Sequence, residues 1–499
     1  MNNAGFEYNF EEHNTHKEFI FTQLHSTATY VFVCVIVRRH FPANTLQYDY
    51  ELKINLCYYC DIVVPVDKAF VNLYFSGVLC IFLGPPCLLD IQKDFPDVNE
   101  PQPLYLVPGT TQFWLPNERG LLSIPRGATI ELHCSKGFSN ATKQYNESNG
   151  LKMLQNSRTI CLRCLQDKIF LWQDEKHELR QFVCTEHIRY KVERTNEPCG
   201  MMPATGMTNA AMSSSAREYR VGFSATHKGR FLETMRICYD EALLRTYYVQ
   251  HTLSPAILHM QKFVKRLSFS KAGYFDDLDI NYFYKRKNQH ERVALLLKGE
   301  HLEYLFDNKS LYLVRGHLAA KADFLYATQQ HSTFHYFNVA PQWQSFNAGQ
   351  WATLEYNVRG FVARSHLQVD CYTGTWGILQ LPIVRETRAI QWQDFYLGVD
   401  KNNNEILPVP KLFFRIILDS SHPNRGIALI GVNNPHAGIR EIEESYVICR
   451  DIREEIPWLR WMRNENVRKG YLYACRVSEL TEAVQHLPHY LTNVTEILQ

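Results

Sequence analysis

A histidine, an asparagine and a glutamate within residues 315–355 are spaced in a way that could support hydrolysis of a phosphodiester. Asn347 follows His317 by thirty residues, and Glu355 comes shortly after it. A neutral imidazole, with an ordinary pKa of about 6.5, can take a proton from water near neutral pH. An amide oxygen is a hard ligand that Mg²⁺ accepts. These residues predict metal-assisted attack of water on a phosphate.

The residues around His317 favour a functional role over a structural one. The chain has 20 histidines, so one histidine alone would more often be structural. Gly316 permits an unusual backbone angle or a close approach of a ligand. Arg315 offers a planar, permanently charged donor for phosphate oxygens. Apolar runs at 302–307 and 311–314 predict that His317 lies near the end of a strand hairpin.

Residues 347–362 predict a helix. Asn347, Trp351 and Glu355 follow one another at intervals of four, so a regular helix would align them along one stripe. Trp351 would pack inward, and Glu355 could hold the waters around a metal ion. Structural roles remain open for two of these residues, because Asn347 suits a helix N-cap and Glu355 could be a surface carboxylate.

An upstream segment at 259–293 interleaves cations with aromatic rings. Its members are Lys262, Lys265, Arg266, Lys271, Lys285, Arg286, Lys287 and Arg292, with Phe263, Phe269, Tyr274, Tyr282 and Tyr284. Cations and rings together suit a phosphate backbone with exposed bases. Three nearby aspartates dilute the charge, so a solvated loop is the alternative. Before this segment, 219–225 predicts a strand and 231–251 a strand-turn-strand pair.

Composition indicates a folded protein with more than one domain. The chain has 499 residues, of which 45% are hydrophobic and 21% charged. The net charge of +2 argues against coating of nucleic acid by bulk charge, but it leaves room for a local basic groove.

The cysteines indicate an oxidising compartment. Ten of the fourteen lie at or after Cys87, and N-x-S/T sequons occur at Asn140, Asn146, Asn308 and Asn493. Cys161 and Cys164 could instead begin a zinc site with two later cysteines. The later spacings are irregular, so disulfides are favoured.

The N-terminal part contains two apolar runs, at 30–37 and 71–83. Both are shorter than the roughly 20 residues that a membrane helix needs, so no stable membrane span is expected. The second run has the length of the apolar part of a signal sequence and follows Lys68. We interpret it as a displaced signal sequence; a buried strand or helix is the alternative.

These patterns divide the chain into five parts. Residues 1–66 form an unassigned extension and 67–86 the signal-like segment. Residues 87–200 are a cysteine-containing, β-rich domain. The small, nearly uncharged residues 201–217 form a linker, and 218–499 form the larger domain.

Three motifs resemble those of a known family. Arg315-Gly316-His317, the run Asn-Val-Ala-Pro-Gln at 338–342, and Asn347…Trp351…Leu354-Glu355 resemble the DNA/RNA non-specific endonucleases. These are the ββα-metal, or His-Me finger, nucleases, which include mitochondrial endonuclease G and secreted animal and bacterial nucleases. The likeness covers roughly 218–480 and is greatest for the secreted animal branch. It implies an α+β fold, a mixed or antiparallel sheet with flanking helices, preceded here by the small β-rich domain.

The resemblance also implies catalytic roles. His317 is then the general base, and Asn347 is the one direct protein ligand of Mg²⁺, for which Mn²⁺ could substitute. Glu355 orients metal-bound water. Arg266 is similar to an upstream arginine that stabilises the charged transition state, and Arg315 belongs to the catalytic motif.

Other residues would contact or frame the substrate. Asn338 and Gln342 are implied to line and brace the site, and Lys265 to bind substrate. The chain departs from the family at Val314, where many members have aspartate. Since valine can neither orient nor charge-balance its neighbours, this position bears on the rate of reaction.

The activity implied is Mg²⁺-dependent, sugar-non-specific endonucleolytic hydrolysis of DNA and RNA, leaving 5′-phosphate ends, by a secreted enzyme. Two alternatives remain. One is a catalytically silent nucleic-acid-binding paralogue, against which the intact His317 and Asn347 argue. The other is a mitochondrial nuclease, against which the cysteines and the lack of an Arg- and Ser-rich start argue.

Overall fold

The structure is a computed structural model. It describes residues 84–139, 157–199, 216–225, 229–275, 278–297, 306, 309–384 and 390–499, and the backbone of two strands at 17–24 and 31–38. The signal-like run at 71–83 and three of the four sequons lie outside the described residues. The fourth, Asn493, is exposed.

The strands are numbered in chain order. They are β1 (Lys17–Leu24), β2 (Val31–Arg38), β3 (Cys87–Asp90), β4 (Leu104–Leu106), β5 (Leu121–Ile124), β6 (Thr129–His133), β7 (Thr159–Gln166), β8 (Ile169–Trp172), β9 (Glu175–Glu178), β10 (Lys191–Pro198), β11 (Ala216–Ala225), β12 (Arg230–Asp240), β13 (Arg245–Leu253), β14 (Leu313–His317), β15 (Val339–Trp343), β16 (Val369–Trp376), β17 (Gln380–Val384), β18 (Ile390–Asp394), β19 (Tyr396–Val399), β20 (Glu405–Pro408), β21 (Leu412–Asp419), β22 (His422–Val432), β23 (Tyr471–Cys475) and β24 (Glu496–Ile497).

The helices are fewer and mostly short. They are α1 (Ile280–Phe283), α2 (Arg286–Leu296), α3 (Ala327–His331), α4 (Gln344–Phe346), α5 (Ala352–Arg364), α6 (Ile439–Ser445) and α7 (Val477–Ala483). A π-helical turn, Asn347–Trp351, joins α4 to α5. Short 3₁₀ turns include Ile257–His259, Lys321–Asp323 and Tyr336–Asn338.

A large sheet forms the centre of the described residues. Its strand order is β10-β11-β12-β13-β16-β21-β22-β23, with β24 pairing parallel to β22 and the other neighbours antiparallel. All eight residues of β21 are buried, as expected for a strand covered on both faces. The fold is therefore a mixed, sheet-rich one with few helices. The expected strand at 219–225 and the strand pair at 231–251 are present.

The large sheet starts earlier in the chain than the sequence suggested. Strand β10, at Lys191–Pro198, was expected in the small domain but pairs with β11. Strand β11 starts at Ala216, inside the stretch expected to be linker. The sequence showed the flexible composition of 200–215 but not the long-range pairing across it.

Disulfides account for most of the described cysteines. Two bonds, Cys87–Cys164 and Cys134–Cys184, lie within the small domain, which also contains the sheet β4-β6-β7-β8-β9. Two more, Cys199–Cys238 and Cys449–Cys475, lie along the large sheet. Since Cys164 is bonded to Cys87, the zinc alternative for that pair is wrong and the disulfide prediction is confirmed. Such bonds stabilise a fold mainly by constraining the unfolded chain.

The small domain is packed and hydrogen-bonded to the large one. Arg230 forms an ion pair with Glu131, both largely buried. The Tyr326 hydroxyl donates to the carbonyl of Trp114, and its ring lies among three small-domain rings, those of Phe95, Tyr105 and Phe113, at centroid distances of 6.0, 5.5 and 6.0 Å. The two domains share one hydrophobic core.

The helical segment after β15 is broken, not continuous. Gly349, within the π-helical turn, has non-helical angles of φ −99° and ψ −118°, and a Cβ there would overlap the carbonyl oxygen of Lys469. Helix α5 then runs regularly with Leu354 and Val358 buried on its inner side. The predicted helix is present, but the single regular stripe through Asn347 is wrong, because the break at Gly349 changes the helical phase.

A buried ionic cluster fixes helix α5 to the sheet. Asp323 Oδ1 accepts from Arg359 Nη1 at 2.9 Å, and Asp323 Oδ2 accepts from Arg415 Nη2 at 2.7 Å. His251 Nε2 lies 3.1 Å from Asp323 Oδ2. Burial alone would raise the pKa of Asp323, yet the Arg415 charge, the His251 hydrogen bond and the Arg359 charge hold it far below its usual range.

In the described part of the chain, no helix has both the length and the apolar character needed to cross a membrane.

Loss of the Asp323 charge should destabilise the fold strongly. Asp323→Asn keeps the shape but leaves Arg415 and Arg359 buried without a counter-charge, which typically costs about 3–5 kcal/mol. Denaturant unfolding measures this free energy. The control is Glu455→Gln, which breaks the exposed 2.6 Å ion pair with Arg450 and should cost less than about 1 kcal/mol. Equal stabilities of the two variants would contradict the prediction.

Candidate functional site

His317 ends strand β14, opposite Val339 of β15 in the antiparallel register. Its side chain is half-buried between two rings. The centroid of Phe269 lies 5.1 Å away in a tilted arrangement, and that of Phe334 lies 5.1 Å away edge-on. These contacts restrict the imidazole to one orientation. His317 therefore lies at the end of a strand, as expected, but this strand forms its hairpin with β15. The run at 302–307, which was expected to pair with it, lies mostly outside the described residues.

The surroundings keep the His317 imidazole neutral. Burial, followed by the positive charges of Arg266 and Lys321, lowers the pKa of His317 to about 3. Its Nε2 is enclosed and has no hydrogen-bond partner among the described residues. A neutral ring retains a lone pair at physiological pH, which a general base requires.

Lys321 is a site residue that the sequence analysis missed. Its Nζ donates to the carbonyl of Val264 at 2.6 Å, joining the turn after His317 to the loop that carries Arg266. Burial, and then the Arg266 charge, lowers the pKa of Lys321. The only local signal was a cation four residues after the histidine, which is common by chance.

Arg266 and Lys265 lie on an exposed loop beside His317. The Arg266 guanidinium carbon lies 5.6 Å from the centroid of the Phe334 ring, the same ring that packs on His317. The backbone N–H of Lys265 donates to Asn99 Oδ1 of the small domain at 3.1 Å. The upstream arginine predicted from a short motif is therefore brought to the histidine.

Arg315 lies in an aromatic enclosure. Its guanidinium carbon lies 4.6 Å from the ring centroid of Tyr284, 5.6 Å from that of Phe269 and 5.7 Å from that of Tyr336. It also donates to Asn281 Oδ1. Half of this side chain is buried, and its Nε has no partner among the described residues. These contacts leave only part of the guanidinium open to a substrate.

Asn338 braces the backbone and does not line an open surface. Its Nδ2 donates to the carbonyls of Ala319 at 2.9 Å and Thr333 at 3.0 Å, and its Oδ1 accepts from the Ala319 N–H at 2.8 Å. It is fully buried. The expectation that Asn338 contacts substrate therefore needs correction, because all these hydrogen bonds are to the protein backbone. It fixes the turn that follows His317.

Gln342 lies against Gly316, and the close packing explains this glycine. A Cβ at position 316 would overlap the Gln342 amide, although the backbone there is extended. Gln342 is fully buried, and neither its Oε1 nor its Nε2 has a hydrogen-bond partner among the described residues. An unpaired buried amide is costly, so a water or a ligand is expected to complete it.

Asn347 and Glu355 lie on either side of the break at Gly349. Asn347 is half-buried, and its side-chain amide makes no hydrogen bond to a described residue. Burial and the nearby Asp323 charge raise the pKa of Glu355 to about 7, against the opposing charges of Arg359 and Arg415. Glu355 is half-buried, which disfavours the alternative of a surface carboxylate.

These groups suit a hard divalent cation. Asn347 offers an amide oxygen and Glu355 a carboxylate, and oxygen donors of this kind suit Mg²⁺ or Mn²⁺. In the described ranges there is no group of three or more His, Cys, Asp or Glu that could hold a metal. A site of one amide and several waters needs no such group, so the residues fit the ion.

The 3₁₀ turn Lys321–Asp323 connects the two halves of the site. Lys321 lowers the pKa of His317. Asp323 raises the pKa of Glu355 and forms an ion pair with Arg415. The sequence analysis missed Asp323 and Arg415. A signal was present, since Arg415 interrupts the otherwise apolar run LFFRIILD and a charge in a buried strand requires a partner.

The chain is similar over part of its length to several known proteins. A salivary endonuclease of Lutzomyia longipalpis is 28% identical over 309 residues, 61% of this chain and 67% of that protein. Salivary protein Tsal2A of Glossina morsitans morsitans is 21% identical over 416 residues, 82% of this chain and 93% of that protein. A solved structure of the EndoG/EndoGI complex matches with 20% identity and a TM-score of 0.25, covering 42% of this chain and 74% of that one.

The family model described as DNA/RNA non-specific endonuclease matches residues 214–480, more than half of the chain. The motif resemblance is thereby confirmed. The chain belongs to the DNA/RNA non-specific endonuclease family and is a nuclease of the phosphodiester hydrolase class.

Proposed function

We propose that this protein is a secreted, Mg²⁺-dependent endonuclease that hydrolyses DNA and RNA without regard to the sugar and leaves 5′-phosphate ends. The observation that carries the proposal is the position of His317 at the end of β14, with the cations Arg266 and Lys321 beside it. An imidazole can accept a proton from water, and the two cations can stabilise negative charge on a phosphate.

The proton and the bonds can be followed through the proposed reaction. His317 takes a proton from a water molecule as the water oxygen forms a bond to phosphorus. The bond from phosphorus to the 3′ oxygen breaks, and the 3′ oxygen takes up a proton. The phosphate remains bonded to the 5′ oxygen. Arg266 and Lys321 stabilise the extra negative charge on the phosphate oxygens. Arg315 contributes a further donor toward the phosphate.

Asn347 would hold the metal ion directly, and Glu355 would orient the water around it. When bound, the ion supplies positive charge that stabilises the phosphate and the leaving 3′ oxygen. Asn338 and Gln342 position the hairpin beneath these groups, and Lys265 adds charge for the substrate backbone.

Indifference to the sugar would follow from contacts made to phosphate. Phosphate contacts carry no sequence information, and discrimination of RNA from DNA needs a group that reads the 2′-hydroxyl. The loop that carries Arg266 also exposes the cations Lys262 and Lys265.

Secretion is supported by two independent observations. Four disulfides join described cysteines, which is typical of an oxidising compartment. Two relatives are named as salivary proteins. N-glycosylation at sequons such as the exposed Asn493 belongs to the same proposal.

The alternative function is a nucleic-acid-binding protein with weak or no catalysis. It is favoured by Val314, since this position carries aspartate in many members of the family, and by the pKa of Glu355, which burial raises to about 7. Direct assay of cleavage separates the two functions, because a binding protein would retain nucleic acid intact in the presence of Mg²⁺.

Removal of the proposed general base, His317, should slow cleavage strongly and preserve binding of nucleic acid. His317→Ala should lower kcat on plasmid DNA and on RNA by about 10²–10⁴-fold, since general-base catalysis contributes that much. Gel assays of cleavage and fluorescence anisotropy of an oligonucleotide measure the two effects. The exposed His489→Ala serves as the control and should cleave normally. Undiminished cleavage by His317→Ala would exclude this histidine as the base.

The metal site should depend on the amide of Asn347. A chelator should stop cleavage, and added Mg²⁺ or Mn²⁺ should restore it. Asn347→Ala should weaken Mg²⁺ binding by roughly 10-fold or more, a loss of at least about 1.4 kcal/mol; titration calorimetry and the Mg²⁺ dependence of kcat both measure this. The matched control is Asn357→Ala on α5, whose amide only donates to the carbonyl of Thr353 at 2.9 Å. Full activity in chelator would contradict the metal requirement.

His317 should stay neutral across the physiological range. Because its pKa is lowered to about 3, the ring should not take up a proton as pH falls from 8 to 5. NMR titration of ¹³C-labelled histidines, with His317→Ala to assign the signal, tests this directly. Arg266→Ala removes a positive charge and should move the midpoint upward. A His317 midpoint above pH 6 in the parent protein would contradict the prediction.

A further inference from the structure

Phe263 is an aromatic side chain displayed to solvent from a strained backbone. Of its surface, 91% is exposed, more than for any other large hydrophobic residue in the described ranges. Its φ is +62°, in the left-handed region that residues with side chains seldom occupy. Both features oppose folding, since the ring gains no burial and the backbone costs energy.

The loop around Phe263 is fixed, so the display of this ring does not result from a loose chain. Gln261, two residues earlier, is buried and donates from Nε2 to the Ile91 carbonyl of the small domain at 3.0 Å. Its Oε1 accepts from the N–H of Ala327 at 2.7 Å. Val264, one residue later, is buried, and its carbonyl accepts from Lys321. Hydrogen bonds on both sides thus impose the backbone between them.

Three other rings of the basic segment have structural contacts, and Tyr282, the fourth, lies 5.6 Å from the ring of Phe283. Phe269 packs on His317, and Tyr284 is buried beside Arg315. The Tyr274 hydroxyl donates to the carbonyl of Val192 at 3.3 Å. Phe263 differs from these three in making no ring contact with another described residue, so its face is open to a ligand.

The charges around Phe263 select an anionic ligand. Lys262, Lys265 and Arg266 are all exposed on the same loop. Arg266 also lies close enough to lower the pKa of His317, which puts the loop at the edge of the catalytic site. A flat ring among cations suits a polyanion that carries aromatic bases.

We infer that Phe263 is a stacking platform for a base of the nucleic-acid substrate. The inference rests on the proposed function and deepens it by naming a residue that recognises the base and not the phosphate. Stacking tolerates any base, because each presents a π face, and it therefore adds affinity without sequence preference. It requires an unpaired or unstacked base, so it favours single-stranded substrate or frayed duplex next to the scissile bond.

Binding is measured in the full chain carrying His317→Ala, with Mg²⁺ present, so that the probe stays intact. The probe is a fluorescent single-stranded oligonucleotide. Phe263→Ala should weaken its binding by about 5- to 150-fold, which corresponds to stacking of one base at about 1–3 kcal/mol. Phe263→Trp should bind at least as well as the parent. The matched control Leu295→Ala removes a side chain that is 76% exposed and should leave binding unchanged.

Two further measurements separate stacking from other causes. On an oligomer with abasic positions throughout, the parent and Phe263→Ala should bind equally. Phe263→Gly should lose affinity as Phe263→Ala does while its Tm stays the same or rises, because glycine relieves the left-handed strain.

The inference is overturned if Phe263→Ala binds the base-containing oligonucleotide as the parent does. It is also overturned if Phe263→Gly lowers the Tm together with affinity, since the ring would then be structural. If Phe263→Ala weakens binding only to vesicles of phosphatidylserine and phosphatidylcholine, and not to the oligonucleotide, the ring contacts a membrane surface. That result would reject it as a platform for a base. If the parent chain cuts no nucleic acid, the proposed function fails; if it cuts and Phe263→Ala binds equally, only this inference fails.

Discussion

The arrangement of the site depends on one buried carboxylate, that of Asp323, which must remain ionised in the protein interior. A buried charge is tolerated only with partners, and those of Asp323 come from strand β21 through Arg415, from helix α5 through Arg359 and from strand β13 through His251. The carboxylate itself belongs to the turn that follows β14, the strand that ends at His317. Meeting this electrostatic requirement therefore brings hairpin, helix and sheet into one relative position. The positions of His317 on the hairpin and Glu355 on the helix are fixed as a consequence.

The candidate site combines groups whose charged forms are disfavoured by burial with two cations. Burial shifts the pKa of both His317 and Glu355 toward the neutral form, to about 3 and about 7. Arg266 lies on an exposed loop, and Lys321 contributes a second cation next to the histidine. Positive charge is therefore concentrated locally beside His317, although the net charge of the chain is only +2.

The small β-rich domain forms part of the wall of this site through the loop that carries Arg266. Gln261 donates to the carbonyl of Ile91, and the backbone N–H of Lys265 donates to Asn99. The Tyr190 hydroxyl donates to the carbonyl of Phe334 at 2.9 Å. The first two bonds support the loop that carries Arg266, and the third supports Phe334, whose ring packs on His317. The small domain therefore supports the backbone of the loop that carries Arg266.

Local features of the site could be predicted from the sequence, whereas its long-range supports could not. The strand that ends at His317, the helix after β15 and the spacing of Asn347 and Glu355 depend on neighbours a few residues apart, where periodicity is informative. The pairing of β14 with β15 joins more distant residues and was not predicted. The pairing of Asp323 with Arg415 joins residues 92 positions apart, and periodicity contains no information on such a contact. The break at Gly349 likewise arises from a distant backbone, that of Lys469. The residues of the proposed chemistry could therefore be named from the sequence. The pKa shifts of His317 and Glu355 could not be predicted, because they arise from burial and from charges that only the folded chain brings together.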